Sequence, residues 1–149
     1  MQSWLDCSRR IAPLWLAAAW LMSLSTLGFF VVPMLFARLP SPAIAGAMAG
    51  QLFSVQTAIS LACCLLLLVL WRAASANRAA AASVATRVPL RWVLLGALMA
   101  VLVECVVAPH IVAHDNLRFW HSLGSSMYLL QWCCAVLVFY RLSSARALA

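Results

Sequence analysis

Three stretches without one charged residue, Ile11 to Ala37, Leu39 to Trp71 and Phe119 to Tyr140, constrain any fold this chain can adopt. Each exceeds the roughly 20 residues that cross a hydrocarbon core of about 30 Å. A fourth stretch, Pro89 to Pro109, is long enough too, but carries Arg91 at its start and Glu104 near its end. Of the 149 residues, 66% are hydrophobic and 9% charged. Soluble domains carry about 25% charged residues, so a fold in water would leave most of this apolar surface wet. The chain reads as all-α, one transmembrane domain over 1–149 built as an integral membrane four-helix bundle, antiparallel and up-down. The spacing predicts helices over about 13–37, 42–71, 90–110 and 116–141, with a loop over 72–89. The N-terminal apolar run is nearly twice the roughly 7–15 residues of a secretory signal core, so it counts as the first span.

A formal charge of +7 does not point to nucleic acid, because every basic residue is an arginine at the end of an apolar run. In a four-span layout Arg9, Arg10, Arg72, Arg78, Arg87, Arg91, Arg141 and Arg146 fall on one side, and only Arg38 and Arg118 on the other. Arginine-rich short loops stay cytoplasmic, which predicts both termini inside and the loop over 72–89 cytoplasmic. A multi-pass protein of a bacterial inner membrane is expected, with its basic edges against anionic lipid. Trp71, Trp92 and Trp120 fall where an aromatic belt forms.

Several local signals organise the spans. Pro33, near the end of the first, lacks an N–H and crowds the Phe29 carbonyl, so a kink is expected there. The turn "RLPSPA" is short enough to make the first two helices neighbours, with Ser41 capping the second and Pro42 in its first position. Gly46 and Gly50 form a GxxxG pair among alanines. In lipid such residues drive close helix contact; packing against the first helix is expected, and a homodimer face is the alternative. Gln51, Ser54, Gln56 and Thr57 continue a polar stripe that should face protein. Pro89 opens the third helix, and Asp115 or Asn116 can cap the fourth.

Few residues can carry chemistry. Glu104 lies five residues before Pro109, roughly 8 Å inside the helix end at about 1.5 Å per residue. A charge in the hydrocarbon costs about 2.5–3.5 kcal/mol, so a partner is expected, and only Arg38 and Arg118 are on that side. An ion-paired cluster joining the two loops is the expected role; a proton-accepting or cation-coordinating carboxylate is the alternative. His110, His114 and His121 fall at similar depth and complete a polar cluster with Glu104, Arg38, Arg118 and Ser122. Three imidazoles and a carboxylate can bind zinc or copper, although the spacing H-x3-H alone is a weak signal. The pairs Cys63-Cys64 and Cys133-Cys134 fall at matching depth in the cytoplasmic half, where thiolates can hold Cu(I). Adjacent residues point about 100° apart on a helix, so ordinary burial is the expected role of these thiols. No nucleotide-binding glycine loop, zincin motif or nucleophile elbow is present.

The stretch from Trp20 to Phe53 resembles the transmembrane protein 205-like family, through Pro33, Leu35-Phe36, Leu39-Pro40, Ala45-Gly46, Gly50 and Phe53. Pro109 and "FWHSLGSSMYLL" are similar to its later part, though His121 follows Phe119 by two residues where the family has three or four. The resemblance implies a four-span membrane protein without an established reaction, in a family whose eukaryotic members are linked to drug and metal-complex resistance. It also marks Pro33, Phe36, Gly46, Gly50, His121 and Ser122 as functional or fold-defining. Neither Glu104 nor the cysteine pairs belong to the pattern.

The expected role is non-enzymatic: an accessory or small-solute membrane protein, in lipid, as a homo-oligomer or part of a larger membrane complex. No cofactor is predicted for that role. The alternatives are copper handling through the histidines and cysteines, and a redox subunit holding haem between His110 or His114 and His121.

Overall fold

The computed structural model describes residues 2–76, 88–113 and 116–147, with side chains described over 11–76, 88–113 and 116–144. All regular structure among them is helical. Helix α1 (Gln2–Thr26) continues through a π-helical turn at Leu27–Val31 into α2 (Val32–Arg38). Helix α3 is Pro42–Ala76. Helix α4 (Leu90–Leu102) continues through a second π turn at Val103–Val107 into α5 (Ala108–Val112), and α6 is Leu117–Ala147. Four segments are long and apolar enough to cross a membrane: Ile11–Arg38, Pro42–Ala76, Leu90–Val112 and Leu117–Ser144. They are the first to fourth spans below, and the chain is a multi-pass membrane protein.

The span ends follow local chemistry. Leu39 turns extended (φ −84°, ψ 150°), and Pro40 cannot continue a helix. Ser41 then accepts the Ile44 N–H on its hydroxyl (3.3 Å), while Pro42 occupies the first helical position. The Pro89 carbonyl takes the Trp92 N–H at 2.9 Å where α4 begins. Asn116 enters α6 with φ 31°, a left-handed conformation that asparagine tolerates better than most residues, and its carbonyl accepts from Phe119 and Trp120. Its neighbour Asp115 lies outside the described residues, as do 77–87. Helix α3 passes Trp71 and reaches Ala76 because the alanine-rich sequence there offers no breaker, so residues 72–76 of the expected loop are helical.

The expected kink has a specific form. Each π turn is followed by a short helix with proline in its second position, Pro33 in one and Pro109 in the other. A proline takes the bond from the carbonyl four residues back and crowds it, and the wider turn accommodates both effects. Spans one and three thus carry the same device, toward the end that bears Arg38 and Arg118.

The buried core draws on all four spans: Ala17, Trp20 and Leu24; Cys63, Cys64 and Leu67; Val93; and Cys134, Ala135, Val138 and Leu142. Its tightest contact is at Gly96, where an added Cβ would stand 2.5 Å from Trp20 Cη2 and 3.5 Å from Cys134 Cβ. Here a glycine lets a whole indole lie on a helix backbone. The GxxxG pair does not do this. A Cβ at Gly46 or Gly50 would meet nothing within 4 Å. The second span buries Ala45 and Ala49 instead, one residue earlier in the helical register. The expected packing of Gly46 and Gly50 on the first helix is therefore not met among the described residues: Ala45 and Ala49 are the buried small residues of this stretch, and a Cβ at either glycine would enter open space. Pro33 and Phe36 are likewise exposed.

Candidate functional site

Polar side chains gather in the interior half-way along the spans. Gln56 points inward with 5% of its surface exposed, and its Nε2 donates to Ser23 Oγ (3.0 Å) and Ser60 Oγ (3.2 Å). Ser23 in turn donates to the Trp20 carbonyl (2.9 Å). Two residues further along the first span, Ser25 accepts from Trp132 Nε1 (2.9 Å) and donates to the Leu21 carbonyl (2.8 Å). Tyr128 donates its hydroxyl to the Leu24 carbonyl (2.8 Å), and the same oxygen lies against the Gly28 backbone N–H. Residue 28 must be glycine for this, since a Cβ would stand 2.6 Å from Tyr128 Cε1. These bonds hold spans one, two and four together where lipid offers no competing partner.

The fourth span receives both π turns on one face. Gly28, in the first, lies on Tyr128; Val107, in the second, is buried and reaches within 3.1 Å of a Cβ placed on Gly124. Residues 124 and 128 are one helical turn apart. Phe29 and Phe53 add edge-on ring contacts to Trp132 (5.4 Å) and Tyr128 (5.3 Å).

Among the described residues two donors in this interior have no acceptor, Trp20 Nε1 and Gln131 Nε2, on residues 0% and 3% exposed. They belong to neighbouring layers. Trp20 packs on Gly96 beside Cys134, and Gln131 is about one turn before Cys134 on the same buried face of α6. Native interiors seldom leave a buried N–H without a partner, so each such group calls for an explanation. Neither residue stood out in the sequence. The available signal was a glutamine in the middle of an uncharged span, where polar groups are costly.

The predicted polar cluster is not assembled as expected. Glu104 lies in the second π turn, half-exposed, and accepts a hydrogen bond from Ser54 Oγ of the second span (2.8 Å). Among the described residues it makes no ion pair with Arg38 or Arg118, both of which are exposed. The reason is geometric: the glutamate is about 12 Å along the helix from Val112, too far into the span for loop arginines, and the serine on the adjacent helix is nearer. His110 stacks flat on Trp120, with centroids 4.0 Å apart and planes within 6°. His121 and Ser122 are exposed on α6, and His114 lies outside the described residues. The predicted stripe on the second span also divides, with Gln56 buried and Gln51 and Ser54 exposed.

Of the two adjacent cysteine pairs only Cys133–Cys134 divides between the outside and the core, while Cys63 and Cys64 are both buried. Cys64 and Cys134 are buried together in the core with Cys63, while Cys133 faces outward. Among the described residues no group of three or more metal-ligating side chains forms.

A family described as a domain of unknown function, DUF4149, matches residues 15–119. That segment holds Trp20, Gly28, Gln56, Gly96 and Glu104, while Tyr128 and Gln131 follow it. No curated protein and no solved structure matches the chain.

Proposed function

Because this chain belongs to the DUF4149 family, matched through its first three spans, we propose that it is a non-enzymatic membrane protein that admits a small uncharged polar solute to the interior of its bundle. The observation that carries this reading is the pair of buried donors without an acceptor among the described residues, Trp20 Nε1 and Gln131 Nε2, in a bundle that also buries the Ser23–Gln56–Ser60 hydrogen bonds. An unsatisfied buried donor costs about 1–3 kcal/mol, and the cost disappears when an acceptor enters. Trp20 and Gln131 both offer neutral N–H groups, which suits water or a small carbonyl- or hydroxyl-bearing molecule better than an ion.

The arrangement supports an antiparallel up-down bundle. Along the first span Ser25 meets Trp132 and then Gly28 meets Tyr128, so numbers rise on one helix as they fall on the other. The arginine distribution supports cytoplasmic termini and insertion in a bacterial inner membrane. The segment from Trp20 to Phe53 supports the narrower likeness to transmembrane protein 205-like proteins.

The experiment is osmotic. Vesicles containing the purified protein are mixed with hyperosmotic urea, glycerol or sucrose, and their volume is followed by light scattering. Faster water or urea equilibration than in protein-free vesicles, reduced by Gln131→Leu, is expected. Rates equal to those of empty vesicles for every solute would reject the proposal.

A second reading, copper handling, draws on the burial of Cys63, Cys64 and Cys134 in one cluster. Two thiolates suffice for a soft monovalent ion. Stoichiometric copper retained after dialysis and lost in Cys64→Ser/Cys134→Ser would favour it.

A further inference from the structure

We propose that the two π turns form one coupled hinge, on which α2 and α5 swing together against the fourth span and open the bundle at the end bearing Arg38 and Arg118. Both turns are short of helical bonds. The Val32 N–H reaches back to the Leu27 carbonyl and the Ala108 N–H to that of Val103, so neither serves the next carbonyl, at Gly28 or Glu104. Pro33 and Pro109 follow, and they have no N–H for the carbonyls four residues back, at Phe29 and Cys105. Two successive carbonyls thus lack their usual donor at each turn, and a bend there breaks bonds that are already gone. The arms beyond are loosely held. Neither α2 nor α5 contains a buried residue, whereas the turns themselves bury Leu27 and Val107. Each arm also ends where its helix stops, at Leu39 and Ala113. Segments with few buried contacts open at low cost while the core they adjoin stays closed.

The fourth span couples the two turns. Tyr128 lies on Gly28, where an added Cβ would stand 2.6 Å from Tyr128 Cε1. One helical turn earlier Val107 lies on Gly124, 3.1 Å from a Cβ placed there. In one contact the glycine is on the π turn and the bulk on α6; in the other the roles are exchanged. Neither turn can tilt without displacing residues 124–128, and α6 runs unbroken from Leu117 to Ala147, so the displacement reaches the other turn. The closed state has a latch on each side. Tyr128 donates its hydroxyl to the Leu24 carbonyl (2.8 Å) just before the first turn, and His110 of α5 stacks flat on Trp120 (4.0 Å) just after the second. Packed contacts of this kind have discrete arrangements, so release of one latch favours the open arrangement of both arms. The motion does not depend on which solute the bundle admits.

The test reads distances in the full chain, reconstituted in lipid vesicles. Cys7, Cys105 and Cys133 are replaced by serine, buried Cys63, Cys64 and Cys134 stay shielded, and spin labels are attached at the exposed positions Ala37→Cys, Val112→Cys and Ser125→Cys. Electron paramagnetic resonance then gives the 37–125 separation for the first arm and the 112–125 separation for the second. The background protein should show a short and a long separation for each pair. Tyr128→Phe releases the first latch and should raise the long population of both pairs by about two-fold or more. His110→Ala, a change outside the core, should do the same from the second latch. Pro33→Ala restores an N–H at the first turn and should move both pairs to the short separation. Variants that shift only the pair on their own arm would overturn the coupling. A single separation for each pair in every protein would overturn the hinge itself.

Discussion

Replacing Gly96 with alanine adds one methyl group where the structure leaves no room for it. The new Cβ would lie 2.5 Å from Trp20 Cη2 and 2.7 Å from Cζ2, against about 3.5 Å for a comfortable carbon contact. The indole would have to retreat by about 1 Å, yet it is fully buried among all four spans. Overpacking of this kind costs about 1–3 kcal/mol. Alanine also gains about 1 kcal/mol of helix propensity, which would mask part of the loss. Gly50→Ala removes that ambiguity. It gains the same propensity and meets nothing within 4 Å. Gly96→Ala is therefore expected to be less stable than Gly50→Ala by about 1–3 kcal/mol, or roughly 2–4 °C of melting temperature per kcal/mol. Buried Cys63, Cys64 and Cys134 supply the assay, since a thiol-reactive dye reaches them only on unfolding, while exposed Cys105 and Cys133 label at the start and set the baseline. Adding Trp20→Phe should rescue most of the loss, because phenylalanine lacks the ring atoms in conflict. Equal melting of the two alanine variants, or no rescue by phenylalanine, would refute the claim that the indole rests on this backbone.

Other substitutions test separate contacts. Tyr128→Phe withdraws a donor from the Leu24 carbonyl and should lower stability by about 1 kcal/mol in the same thiol assay; an unchanged melt would mean that the hydroxyl bond does not hold the first π turn. Glu104→Gln should leave detergent stability unchanged, because an amide oxygen still accepts from Ser54 and no arginine partner is lost; a marked loss would reveal an ionic contact. Asn116→Gly should be tolerated and Asn116→Val should cost about 1–2 kcal/mol, given φ 31° at that position; equal melting of the two would contradict the left-handed entry to α6.

The GxxxG pair shows why legibility stopped short of packing. Its spacing signals a close helix contact, yet spacing cannot say which surface is the partner, and a Cβ at either position would meet no described atom within 4 Å. Gly28 and Gly96 form no motif, and only the side chains of Tyr128 and Trp20, far away in sequence, reveal what they are for. Glu104 was conspicuous as the one carboxylate in its span, but its partner depended on depth: loop arginines matched in charge, and a serine on the adjacent helix was in reach. Pro33 marked where the first span would deform and the π turn gives that deformation its form, whereas Pro109 read only as the close of the third span and the π turn before it came from the structure.

By itself the sequence determined the solvent. Long uncharged runs must leave water, a helix is the structure that satisfies their backbone bonds within one segment, and four such runs with Ser41 and Asn116 at their boundaries give four spans. That inference is local, since it needs only the hydropathy and hydrogen-bonding needs of consecutive residues. Only the tertiary structure decided which polar groups meet. Whether Gln56 turns to Ser23, whether Trp20 and Gln131 keep an unfilled donor, and which glycines have a neighbour all depend on helix rotation and depth. In lipid those are set by packing between distant segments rather than by any pattern along one.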